Sequence, residues 1–196
     1  TVAMQTMVGV SKDERALSKV SFAVRKRLPW LQINLVTAFL AAAVVGLFES
    51  TIAKYTALAV LLPVVAGQSG NTGAQALAVT MRGLALREIR IRQWPRVVFK
   101  EASTAFWNGL AVAATTALGV WVWSTSAGLA GVIGVSMILS MVIAGVSGAA
   151  IPLLLTAARQ DPAQSSSIVL TTVTDIVGFF TFLGLATLLS GMLAGS

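Results

Sequence analysis

The sequence predicts an all-α integral membrane protein with five transmembrane helices per subunit, N-in and C-out, preceded by a basic amphipathic cytoplasmic helix. Composition, the placement of charge and a series of long apolar stretches carry this prediction. Hydrophobic residues make up 56% of the chain and charged residues 11%, with a mean hydropathy of +0.84, far from the soluble norm of about 25% charged. The 196 residues hold about five spans of roughly 20 to 25 residues with short connections. The expected organisation is an N-terminal segment over residues 1–27 and a five-helix membrane domain over 28–196.

Residues 11–29 carry Lys12, Arg15, Lys19, Arg25, Lys26 and Arg27 against Asp13 and Glu14. Ser11 followed three residues later by Glu14 is a capping-box pattern, so a short helix is expected to start there and to end before Pro29. Leu17, Val20 and Val24 share one face of it, which makes it amphipathic and suited to lie under the bundle or against anionic headgroups. Span one follows over about Trp30 to Phe48, with Trp30 as an interfacial anchor and Glu49 closing it. Span two runs from about Ile52 or Tyr55 to Met81 and is expected to be interrupted near Pro63 to Gly73. Spans three to five cover about Val97 to Trp123, Gly128 to Ala158 and Ser165 to Met192, with Trp121 and Trp123 forming an outer aromatic belt. Gly145 and Gly148 are a candidate second break before Pro152.

Charge gives the direction. The loop from Arg82 to Lys100 holds six Lys or Arg, and Arg159 lies between spans four and five. With these loops and the N-terminal segment inside, 13 of the 14 Lys and Arg are cytoplasmic and only Lys54 is outside, as the positive-inside rule requires. That pattern accounts for the +7 charge without a nucleic-acid partner. The chain has no Cys and no His, which removes disulfides and the usual zinc, copper and haem ligands. A bound metal is therefore expected to be hard and oxygen-liganded. An enzyme is not expected: an intramembrane protease or transferase needs paired acids, a Ser–His pair or a helical metal motif, and none is present.

Polar residues at membrane depth mark the candidate site. Asp175 sits in the middle of span five, where a carboxylate costs roughly 2.5–3.5 kcal/mol even on a lenient scale and is functional by default. No Lys or Arg lies at mid-depth to pair with it. Ser167, Thr171 and Asp175 form an i, i+4, i+8 stripe of oxygens; the plainer reading of the two hydroxyls is bonding back to carbonyls of their own helix. Across from them, span two carries Gly67 and Gly70, which would let carbonyls point inward, and Asn71 and Gln75 one turn apart. One carboxylate among carbonyls, amides and hydroxyls suits a hard cation taken directly or through its water shell. Asn34 and Asn108 are expected to hydrogen-bond between helices, and Glu101 and Asp161 to stand near the cytoplasmic rim as solvated charges or as cation attractors at a pore exit. An ion-coupled secondary transporter, with Asp175 as the coupling site, is the alternative to a channel.

The runs PVVAGQSGNTGAQALAVTMRGLALREI, LPWLQINLVTAFLAAAVVGLFESTI and ARQDPAQSSSIVLTTVTDIVGFFTFLGLAT together resemble the transmembrane domain of the MgtE family of magnesium channels. The likeness covers about Leu28 to Leu189. It implies a homodimer of five-helix subunits in the plasma (inner) membrane, with the pore on the dimer axis lined by spans two and five. By this resemblance Asp175 is the pore acid that holds hydrated Mg2+, the carbonyls of Gly67 and Thr171 lie beside it, and Asn71 and Gln75 belong to the family's GGN-and-Q element. Ser69 replaces the usual first Gly of GGN, Ala74 a frequent polar residue, and Ser167 a frequent Asn or Pro. The family's cytoplasmic CBS-type sensor has no counterpart in this sequence, and residues 11–27 look like the plug or connecting helix that would join it.

Overall fold

The computed structural model describes residues 2–193, and every regular element among them is a helix. A short helix α1 (Val2–Met7) precedes a run of turns, followed by α2 (Val20–Gly46), the short α3 (Glu49–Lys54), and α4 (Ala57–Ala85). After a 3-10 turn (Ile91–Gln93) come α5 (Trp94–Ser124), α6 (Ala127–Ala157), α7 (Pro162–Leu188) and the short α8 (Ser190–Leu193). Four helical stretches, Val20–Gly46, Ile91–Ser124, Ala127–Ala157 and Ser166–Leu188, are long and apolar enough to cross a membrane. At 29 residues α4 is about 43 Å long at 1.5 Å per residue, but its central polar run lowers its apolar character.

The expected N-terminal helix over 11–28 does not form. Residues 11–19 are turns, and the helix begins at Val20 and runs through Pro29 into span one without a stop. Ser11 serves a tight turn, accepting from the Asp13 amide at 3.4 Å, and Glu14 is instead drawn into an ion pair with Arg27. Leu17 and Val20 are exposed, so no amphipathic face is buried here. Pro29 is tolerated because the carbonyl it leaves free, on Arg25, lies at the charged rim where water can reach it.

Neither expected break in the spans occurs. α4 passes unbroken through Pro63 and its glycines, and α6 passes through Gly145, Gly148 and Pro152. The hydroxyls inside α4 are satisfied by the helix itself, with Ser69 donating to the Val65 carbonyl at 2.8 Å and Thr72 to Gln68 at 2.9 Å. A broken backbone in hydrocarbon would leave several unpaired groups, whereas a glycine in a helix costs only about 1 kcal/mol. Continuity wins.

α6 is the central helix, packed on α5, α4 and α7, and glycine decides how closely. A Cβ at Gly148 would lie 2.3 Å from the Gly73 carbonyl oxygen and 2.8 Å from the Ala76 Cβ. One at Gly145 would lie 2.7 Å from the Ala105 Cβ. These are the small-residue seams of membrane helices. Gly67, Gly70 and Gly131 have open space instead. The interior divides into a large apolar cluster around Leu58, Val65, Ile133, Met137, Phe182 and Leu183, and a small one of Leu77, Ile151 and Leu170 joined by Met7. Between them lies a waist of glycines and self-bonded hydroxyls.

The helix ends sort by charge. α4 closes with Arg87 at φ 57° and α6 with Arg159 at φ 58°, each followed by a residue whose amide reaches back to the preceding turn, Glu88 to Gly83 and Gln160 to Leu155, both at 2.9 Å. Both arginines thus sit against the negative end of a helix dipole. α2 runs alongside α7, with Phe48 edge-on to Phe180 at 5.7 Å and Thr51 hydrogen-bonded to Thr187 at 3.0 Å. The start of α2 and the α4–α5 and α6–α7 loops therefore share one end of the bundle, and Lys54 lies at the other.

Candidate functional site

Two contacts bring α4 and α7 into register. Gly73 faces Leu170 and Thr174, and Gly178 faces Ser69 and Val65, so the helices run antiparallel and Asp175 stands at the level of the Ser69–Gly73 stretch. Asp175 and Asn71 thus stand at about one depth, at the waist of the core, with Gly67 about one turn toward the Lys54 end and Thr171, Gln75 and Ser167 progressively nearer the basic end.

The packing of α4 sorts its polar residues. Ser69, Gly73, Ala76, Leu77 and Thr80 are buried, while Gly67, Asn71 and Gln75, four residues apart in succession, are exposed. No side-chain atom covers the place where a Cβ would stand on Gly67 or Gly70. A carbonyl has two lone pairs, so the Gly67 carbonyl can satisfy its helix and still present a second lone pair through the missing side chain. It would do so from an intact helix, not from the interrupted stretch expected.

On α7, Asp175 is half-buried and Thr171 exposed. Among the described residues Asp175 has no ion pair and the Thr171 hydroxyl no hydrogen bond. The hydroxyls that do bond back belong to their neighbours, Thr172 to the Ile168 carbonyl at 2.8 Å and Thr174 to that of Thr171 at 3.1 Å. The Thr171 carbonyl therefore already serves a second donor. Ser167 behaves differently again, donating to the Met7 carbonyl of the N-terminal segment. That segment is held by the Gln5 amide on the Glu14 carbonyl at 3.0 Å, by the Glu14–Arg27 ion pair, and by Gly9 at φ 75° against the face of Trp30. Trp30 is thus covered by the chain's own start.

Asp161 caps α7, accepting from the Ala163 amide at 2.9 Å with Pro162 in the first turn, so its role in the fold is structural. The interhelical bonds expected of Asn34 and Asn108 are not made among the described residues. Glu101 is the residue the sequence undervalued. The residue is 6% exposed, its carboxylate is paired with Lys100, and it lines a cleft of about 150 Å³ between α4 and α5 together with Thr72, Gln75, Thr104 and Asn108. The signal was available, since Glu101, Thr104 and Asn108 are spaced i, i+3, i+7 on an apolar helix. No group of three or more acidic residues that could hold a metal exists among the described residues. A cation at either place would meet one carboxylate per chain and otherwise neutral oxygens, in competition with the Lys100 ammonium at Glu101.

Residues 62–185 match the model of the family MgtE, described as "Divalent cation transporter". The chain belongs to the MgtE family. It is 34% identical over 176 residues, 90% of its length, to the magnesium transporter MgtE of Bacillus subtilis, and 35% identical over 163 residues, 83% of its length, to that of Thermus thermophilus. The Enterococcus faecalis magnesium transporter MgtE is 30% identical over 182 residues, 93% of the chain. The chain spans only 36 to 40% of the length of these curated relatives. Membership and the apolar helices make this MgtE-family chain an integral membrane protein. The matched stretch contains both the α4 and α7 stripes and the Glu101 cleft.

Proposed function

We infer that the chain forms the pore of a magnesium channel, conducting hydrated Mg2+ inward along the axis of a homodimer, with Asp175 as the pore acid. α4 is then the fifth span, with the basic end of the bundle in the cytoplasm by the positive-inside rule and the whole in the plasma membrane. The carrying observation is that Asn71 on α4 stands at the depth of Asp175 on α7, and that Gly67, Asn71 and Thr171 are exposed and Asp175 only half-buried in the subunit that bears them, although such groups at membrane depth demand a partner or water. A second copy around a two-fold axis supplies the other half of a wet wall. The names of the relatives, each a magnesium transporter, supply the ion.

The chemistry fits. Mg2+ dehydrates reluctantly and keeps several waters, so a site of one carboxylate per subunit with Gly67 and Thr171 carbonyls and the Asn71 amide holds the ion through its water shell. Ser167 continues the α7 stripe toward the cytoplasmic end, and Gln75 continues that of α4 at its edge, where it also lines the α4–α5 cleft. A divalent ion gains about 2.3 kcal/mol per charge per 100 mV, so no coupling ion is required. Uptake into proteoliposomes tests this. Mg2+ is expected to enter down its own gradient without a proton or sodium gradient, and Asp175→Asn to reduce the rate about tenfold or more with the dimer intact. Uptake that appears only with an imposed proton or sodium gradient would assign Asp175 to an ion-coupled transporter instead.

A further inference from the structure

We propose that the α4–α5 cleft around Glu101 is a second divalent-cation site, which borders the pore stripe at Gln75, leaves Asp175 out, and ties α4 to α5 when loaded. Glu101 lies inside an apolar helix, where a buried carboxylate needs a positive partner. Its hydrogen-bonded partner is Lys100, the adjacent residue on the same helix. The other polar groups of the cleft present acceptors. The Thr72 and Thr104 hydroxyls give their single protons to carbonyls of their own helices, Gln68 and Lys100, both at 2.9 Å, which leaves their lone pairs to face the cleft. The Gln75 and Asn108 amides, unbonded among the described residues, can each turn an oxygen inward.

The cleft thus offers one carboxylate and four neutral oxygens. Its volume of about 150 Å³ corresponds to about five waters at roughly 30 Å³ each, room for an ion that keeps part of its hydration shell. Hard divalent ions of the magnesium class match that donor set, and the Lys100 ammonium occupies the position such an ion would take. Metal and lysine therefore compete. The mechanical consequence follows from the packing, because α4 and α5 touch each other little and are joined mainly through α6. Thr72 and Gln75 come from α4, Glu101 and Asn108 from α5. A cation among them links the helix that carries Asn71 to one with which it otherwise has little contact. Asp175 takes no part in it.

The test is manganese binding, followed by electron paramagnetic resonance, to the full chain in a maltoside detergent that carries no phosphate. It is done in the Asp175→Asn background so that the pore acid contributes nothing. About one manganese per chain is expected to remain, to be displaced by magnesium, and to disappear on adding Glu101→Gln. Lys100→Met in the same background is expected to tighten binding about tenfold by removing the competitor. A melting temperature raised by manganese in Asp175→Asn, and not after Gln75→Leu with Asn108→Leu, reports the helix tie without relying on the Glu101 variant folding well. Absence of manganese from Asp175→Asn, or binding and melting temperature unchanged by both sets of cleft substitutions, would overturn the second site and leave the pore reading untouched.

Discussion

Thr171 separates two ways in which one residue can serve an ion. Its hydroxyl bonds to nothing in the described structure, while its carbonyl already accepts from Thr174. If the hydroxyl mattered, Thr171→Ala would reduce uptake as Asp175→Asn does. The carbonyl reading gives the opposite expectation, that Thr171→Ala retains uptake within about twofold, since no stabilising bond and no charge is lost. Initial rates of Mg2+ uptake for the two variants, side by side, decide between them. Thr174→Val releases the second lone pair of that carbonyl and is expected to leave uptake equal to or above that of the wild type. The same scale explains why Asp175 stands out in the sequence more than Glu101 does. An acid ten residues from either end of an apolar run stands out, whereas Glu101 follows a basic loop and reads as a solvated charge until Gln75 of another helix is seen beside it.

At the scale of the helix, glycine does two different jobs in α4 and its neighbours, and the sequence does not distinguish them. Gly148 is fixed by the Gly73 carbonyl, so Gly148→Ala drives a methyl into backbone and is expected to cost about 1–3 kcal/mol, visible as a lowered melting temperature in detergent. Gly67 has nothing around its missing side chain. Gly67→Ala is therefore expected to leave the melting temperature unchanged or raise it slightly through helix propensity, worth up to about 1 kcal/mol, yet to lower Mg2+ uptake by covering its carbonyl. Stability lost at Gly67, or uptake retained there, would contradict the pore assignment. Four of the five long helices were legible to within about five residues of their bounds, because long apolar runs are a strong signal, but α2 starts at Val20 and not at Trp30. The expected interruptions do not form, because the roughly 3 kcal/mol of a helical proline at Pro63 or Pro152 and the roughly 1 kcal/mol of Gly70 are less than the cost of the several unpaired backbone groups that a break would leave in hydrocarbon. The N-terminal helix was misjudged for a related reason: Glu14 has the spacing of a capping residue, but a charge partner on Arg27, thirteen residues on, outweighs a local cap.

At the scale of the whole molecule, one subunit buries its two apolar clusters well and yet leaves Asn71 and Thr171 exposed at membrane depth. Lipid cannot hydrogen-bond them. Within the pore reading the covering surface is a second copy of α4 and α7, and the absence of native cysteine makes this directly measurable. Single cysteines at Asn71 and at Thr171 are expected to be joined across the two-fold axis by a short bifunctional maleimide, giving a covalent dimer on a denaturing gel from native membranes. Leu118, 60% exposed on α5, lies on a helix that this arrangement leaves to lipid, and Leu118→Cys is expected to stay monomeric under the same treatment. Mg2+ in the pore should slow the reaction at Asn71, since a hydrated ion between the two stripes stands in the path of the linker, and should leave Leu118 unaffected. Efficient crosslinking at Leu118 with none at Asn71 or Thr171 would place the subunit interface on α5, and the pore would then have to be sought away from the α4–α7 pair.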